Sequence, residues 1–253
     1  MRRIKLKQGT CRYCKVKKDL CGAHIIPKKF YFDYTNAKYK SVNSENGNWK
    51  QSQNGAWDDS ILCPDCDGIL NNFDREGYRV LLQDLSDYKK TISSTRSTYL
   101  LNKESYDYVK LRCFFISMLW RASISQKSEF NQIKLGPYED IALKIIKNEI
   151  EEKQLFKIII FREPDNKEFN KVIFAVQSKF ANKICYYFYF AQFKVCIIPS
   201  IRGIRWKSKA LDDRSFFNDE ELLIIEDESA YEDKLKTLAS VKQNIEQHKK
   251  LLR

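Results

Sequence analysis

The chain has few histidines, no uninterrupted long apolar run and no dense cysteine framework, and each shortage removes a class of explanation. Imidazole chemistry is confined to His24 and His248. The most apolar stretch, Val109 to Ile124, is broken by Lys110, Arg112 and Arg121. It falls short of the roughly 20 residues that a bilayer span needs, so it reads as a buried helix and no membrane partner is expected. The basic start MRRIKLKQGT leads into neither an apolar core nor a small-residue cleavage site, so a secretory leader is not expected. Eight cysteines in 253 residues are too few for a disulfide scaffold, and four of them stand in tight CxxC pairs. The expected setting is a reducing cytoplasm.

What is present is positive charge. The formal net charge of +12 favours a polyanionic partner, because clustered Lys and Arg gain affinity by releasing counterions from a phosphate backbone. The charge is concentrated near the start: up to Lys29, Asp19 is the lone acid among ten Lys and Arg, and the same stretch holds the first cysteine pair and His24. A basic surface is therefore expected beside whatever those residues build.

Composition divides the chain into three parts and predicts an α+β fold. Residues 1–80, rich in Cys, Gly, Asn and Asp with short apolar runs, suit a small metal-held unit. Within them, Lys28 to Trp57 lacks periodicity and reads as a surface insertion. Residues 81–153 read as a helical region, with helices over Tyr106 to Ser125 and, after Gly136-Pro137, over Tyr138 to Glu152; a further helix leaves the second CxxC. Residues 154–253 carry strand-like segments at Leu155 to Phe161, Lys171 to Val176 and Ile184 to Ile198, which predict an antiparallel sheet. A terminal helix follows over Tyr231 to Leu252, packing on the body or meeting another subunit.

The pairs Cys11/Cys14 and Cys63/Cys66 supply four thiolates in two tight turns, a donor set that closes a tetrahedral structural zinc site. Iron, redox cysteines, or a site in which Cys21 and His24 replace one pair are the rival readings. Cys113, Cys185 and Cys196 lie in apolar runs and read as small core residues. His248 sits in a lysine-rich segment and reads as solvated. His24, in GAHIIPKK at the end of a predicted strand Asp19 to Ile26 stopped by Pro27, is either a buried structural residue or a functional one.

The order CxxC, then HIIP, then an apolar LC running into CxxC, resembles the layout of zinc-stapled HNH endonucleases over Cys11 to about Asp74. AHIIPK and ILCPDCDGILNNFD are most similar to a bacterial subgroup with a SHIIPKF-type stretch; a helical segment like LRCFFISMLWRASIS, together with LGPYED, extends the likeness to about residue 150. The resemblance implies a ββα-metal, treble-clef-like module in which His24 is the general base that takes a proton from the attacking water. It places Asp58, beside Asp59, where the family carries the Asn that orients the base. It also implies a Mg²⁺ or Mn²⁺ ion. Asp67 and Asp74, two helical turns apart and so on one face, are the expected carboxylate ligands, with Glu76 and Asn71 or Asn72 nearby. Ala23 stands where the family usually has an acid.

The expected function is thus a metal-dependent HNH-like endonuclease acting on nucleic acid, DNA foremost, in a setting such as antiphage defence or a mobile element that rests on family analogy. The alternative is a noncatalytic zinc module that grips nucleic acid or a protein partner; a homo-oligomer, or a subunit active only within a larger complex, is also consistent with the sequence. The aromatic run YYFYF at 186–190 reads as sheet packing, with base stacking beside Lys194, Arg202, Arg205, Trp206 and Lys207 as the other option.

Overall fold

A computed structural model describes residues 7–32, 39–42, 49–52, 55–82, 88–92, 97–163, 172–202 and 217–227, with isolated positions 236 and 239. The chain runs β1 (Lys7–Thr10), β2 (Lys17–His24), α1 (Lys29–Phe32), β3 (Tyr39–Val42), β4 (Trp49–Ser52), β5 (Trp57–Leu62) and α2 (Pro64–Leu81). It continues through β6 (Lys89–Ile92), β7 (Ser97–Asn102), α3 (Tyr108–Ile124), α4 (Tyr138–Ile146), β8 (Leu155–Arg162), β9 (Val172–Phe180), β10 (Lys183–Phe190), β11 (Phe193–Ser200) and β12 (Glu221–Glu226). The fold is α+β. Nearly all of the expected terminal helix lies outside the described residues, as do Arg205, Trp206, Lys207 and His248.

Two sheets form. β1, β2 and β5 make a three-stranded antiparallel sheet that leads directly into α2. The second sheet has nine strands in the order β4-β3-β9-β10-β11-β8-β12-β7-β6. It corrects the expected antiparallel C-terminal sheet in two respects. It is mixed, because β3 pairs with β9 and β12 with β8 in parallel. It also draws β3 and β4 from the insertion and β6 and β7 from the region expected to be helical. Short polar strands at both edges escape an apolar-run criterion, and edges are where sheets tolerate them. The segment read as one strand over Ile184 to Ile198 is a hairpin that turns at Ala191, whose φ is 45°. A second tight turn, Ala181-Asn182, has positive φ at both positions, as a two-residue hairpin turn requires.

Helix α3 lies at the centre. It is apolar on every side and nearly all of it is buried, whereas α2 is amphipathic and buries mainly Cys66, Leu70, Gly77, Val80 and Leu81. Asp107 caps α3 by accepting the Lys110 N–H at 3.0 Å. Gly77 lets α2 approach it: a Cβ there would meet Phe114 at 2.6 Å. Phe114 also stacks on Phe30 of α1, and Phe30 meets Phe190 of β10 edge-on. One apolar core therefore includes Leu20, Leu62, Phe114 and Ile197, from both sheets and the helix between them. Among the described residues no helix is long and apolar enough to cross a membrane.

Candidate active site and metal centre

The first CxxC forms the turn between β1 and β2. Cys11 N–H donates to the Val16 carbonyl at 3.0 Å and Lys15 N–H to the Cys11 carbonyl at 2.8 Å, a tight bend that puts Lys15 at φ 62°. The second CxxC opens α2, with Cys63 at the N-cap, Pro64 fixing the first turn, and Cys66 facing back toward the bend. β5 brings the two together, and the Cys63 N–H donates to Cys11 Sγ at 3.4 Å. The four Sγ atoms lie within 4.8 Å of one another. Tetrahedral zinc sets its sulfurs about 3.8 Å apart, so the cluster could hold a metal ion such as zinc with little movement. Among the described residues this cluster contains neither Cys21 nor His24. Burial raises the Cys11 thiol, but backbone N–H donors from Cys14, Cys63 and Tyr13 outweigh it and bring the group to about 7, toward the thiolate a metal needs.

His24 ends β2, paired with Trp57 of β5, and is partly exposed. It lines a cavity of about 340 Å³ to which α2 contributes Asp67, Asn71, Asp74, Arg75 and Tyr78. Those positions fall about one or two turns apart, on one helical face. Pro27, Lys28 and Lys29 also line the cavity, as does Arg121 of α3. The Lys29 ammonium sits 4.0 Å from the centre of the Tyr78 ring. His24, Asp67 and Asp74 thus line one cavity.

Asp58 is not at this site. The register opposes it to Ala23, and opposed residues share a face while successive ones alternate, so Asp58 lies on the face away from His24. A two-residue register shift between Cys21 and Ala23, next to Gly22, sets which residue of β5 opposes Ala23. Asp58 is buried, and both carboxylate oxygens are engaged. One accepts the Ser60 N–H at 2.9 Å and its hydroxyl at 2.6 Å; the other accepts the Ser125 hydroxyl at 2.7 Å and the Gln126 N–H at 3.2 Å. Burial pushes its carboxyl up, yet these donors outweigh burial and hold it below the ordinary range. Its task is to fasten β5 to the end of α3. Asp59 pairs loosely with Lys127 at 3.8 Å. Glu76 is also placed elsewhere: it binds Arg79 and accepts the Asp107 N–H at 2.7 Å, at the start of α3.

The two cavity acids differ. Asp74 is held in a bidentate pair by Arg121, at 2.9 and 2.7 Å, which occupies both of its oxygens and neutralises its charge. Asp67 accepts no hydrogen bond among the described residues, and burial, opposed by Arg121 and assisted by Asp74, raises its carboxyl above the ordinary range. The oxygens of Asp67 are therefore left without a protein donor among the described residues, with Asn71 one turn further on, whereas Arg121 occupies both oxygens of Asp74. Ala23 is buried in the core and supplies no donor. Sequence reasoning missed Arg121. The available signal was a guanidinium inside an apolar helix, since a buried charge requires a partner.

Comparison of the chain with family models, with curated proteins and with solved structures finds no match.

Proposed function

We propose that this chain is a metal-dependent endonuclease of HNH type that hydrolyses phosphodiester bonds in nucleic acid, with DNA as its first expected substrate. On this reading Cys11, Cys14, Cys63 and Cys66 bind a structural zinc, and β2, β5 and α2 form a treble-clef-like ββα unit. One observation carries the proposal: a single cavity is lined by His24 and Asp67 together with the cations Lys28, Lys29, Arg75 and Arg121.

The chemistry follows from those groups. Lys28, Lys29 and Arg75 attract and hold the phosphate backbone. A neutral imidazole, whose ordinary pKa is about 6.5, takes the proton from a water molecule as its oxygen attacks phosphorus. The phosphorus–oxygen bond to the leaving group breaks as the new one forms, the departing oxygen takes a proton from solvent, and the imidazolium returns its own proton to solvent. Asp67 would hold a Mg²⁺ or Mn²⁺ ion, which when bound supplies charge neutralisation at the phosphate and the departing oxygen. With one protein carboxylate available, much of that ion's shell is left to water and phosphate oxygens, as is usual for Mg²⁺.

A second reading, a noncatalytic zinc module that binds nucleic acid, is favoured by the Arg121–Asp74 pair, which removes one of the two expected ligands. Purified protein incubated with plasmid and single-stranded DNA, with and without added Mg²⁺ or Mn²⁺, separates the two. The nuclease reading expects ion-dependent cutting that falls by about a hundredfold or more in His24→Ala while fold and zinc content persist. Salt-sensitive binding without cutting, equal in both proteins, would establish the binding module instead.

A further inference from the structure

Arg121 is about 1% exposed, on a helix that is otherwise almost entirely apolar and buried. A guanidinium has five N–H donors, and all five are used here. Nε donates to the Ser117 carbonyl at 3.3 Å. Nη1 donates to the His24 carbonyl at 2.7 Å and to Asp74 at 2.9 Å. Nη2 donates to Asp74 at 2.7 Å and to the Ser117 hydroxyl at 3.5 Å. The cation joins three elements at one point: the end of β2, the middle of α2 and its own helix α3.

We propose that Arg121 is the positioning residue of the cavity: it clamps the His24 end of β2 to Asp74 on α2 and so fixes the imidazole relative to Asp67. Asp74 belongs to this clamp and not to the metal's donor set. The role deepens the nuclease reading and rests on it for its chemical meaning, although the clamp itself can be tested without any cleavage. Because every donor is occupied inside the protein, Arg121 has none left for a phosphate. Because both Asp74 oxygens are held by a fixed fork, they turn as one body with the guanidinium. Stability alone is a weak reason for such a pair, since apolar residues of similar volume often hold elements together as well as a buried ion pair does. What apolar residues do not supply is a hydrogen bond to the His24 carbonyl, which is the link that fixes the base.

The chain contains two histidines, so protein labelled at histidine gives two imidazole signals in NMR, assigned with His248→Gln. The decisive variant is Arg121→Met with Asp74→Leu, which removes the charges together and leaves neither buried alone. The expected result is a folded protein with full zinc content in which the His24 signal is shifted and broadened. In the same variant kcat falls by about a hundredfold at little-changed KM, as misplacement of a catalytic group by about 1 Å produces. Arg121→Lys, which offers a point charge without the fork, should restore little of either. A His24 signal superimposable on that of the parent protein, in the folded double variant, would overturn the proposal; so would a rise in KM at constant kcat, which would make Arg121 a substrate contact. If the double variant fails to fold, Asp74→Asn, which keeps the shape and loses the charge, is read by the same His24 criterion. A parent protein that cuts nothing would remove the nuclease reading alone, and the His24 signal would still decide the clamp.

Discussion

Around the thiol cluster, residues 11–24 and 57–66 are held by four sulfurs, a bend and a short three-stranded sheet, whereas β8–β11 are held by long antiparallel ladders with Ile, Val and Phe packed on both sides. In the first region a few atoms carry the geometry; in the second, burial is spread over many side chains. α3 is common to both, because its buried face meets α2 on one side and β11 on the other. The cavity lies on the thin side of this division. His24 ends β2, the strand that follows the first cysteine pair, and its carbonyl is held by Arg121 of α3.

The sharpest way to break the comparison is to remove a thiol. Cys63→Ser should abolish tight metal binding and cost more than about 5 kcal/mol in the N-terminal region, given that structural zinc contributes about 10–16 kcal/mol in small metal-folded units. Metal content and amide exchange measure it: residues 11–24 and 57–66 should lose protection while β8–β11 retain it. A single transition in which both regions melt together would mean that α3 couples them into one cooperative unit and that the contrast is only local.

A smaller effect is expected at Asp58, where a buried carboxylate with four donors ties β5 to the end of α3. Asp58→Ala strands the Ser125 hydroxyl and the Gln126 N–H and should cost about 3 kcal/mol, read as a lower urea midpoint at unchanged slope. Asp58→Asn should recover part of this, since it keeps one acceptor oxygen. The pH dependence has a definite sign. The folded carboxyl lies below its ordinary 3.8, so ionised Asp58 favours folding at pH values above that figure. The contribution is lost as pH falls through the lower, folded value. The parent protein should therefore weaken more steeply than Asp58→Ala below about pH 4. Parallel acid curves would remove Asp58 from the seam between the regions.

These residues also mark how far the sequence could be read. The four cysteines were legible because a CxxC turn brings its own two donors together and two such turns make a complete donor set. α3 was legible from its apolar run, and the shared face of Asp67 and Asp74 from helical period alone. Asp58 was misplaced because its distance from Cys63 in sequence carries no information about its partner on β2, and pairing with Ala23 puts it on the face away from His24. The occupation of Asp74 was hidden for a different reason, since its partner Arg121 is 47 residues away on another helix. The edge strands β4 and β6, and β3 next to β4, were hidden because polar sequences serve near a sheet edge as well as apolar ones.

The smallest expected effect sharpens the comparison at its thinnest point. Lys15 closes the bend after Cys14 at φ 62°, and its N–H bonds the Cys11 carbonyl, so the bend depends on a backbone shape that costs a side-chain-bearing residue about 1–2 kcal/mol. Lys15→Gly relieves that cost but frees the unfolded chain, which takes back roughly 0.4–1 kcal/mol. A net gain of about 0.5 kcal/mol should remain, visible as a melting temperature higher by about 1–2 °C and slower loss of metal to a chelator. The same substitution removes one of the ten early cations, so DNA affinity should fall slightly with a shallower salt dependence. Stabilisation in metal-loaded protein that vanishes once the metal is stripped would place the strain inside the thiol cluster. Equal stabilisation in both forms would place it in the β1–β2 turn, independent of the ion, and the thin region would then owe its shape to the sheet more than to its sulfurs.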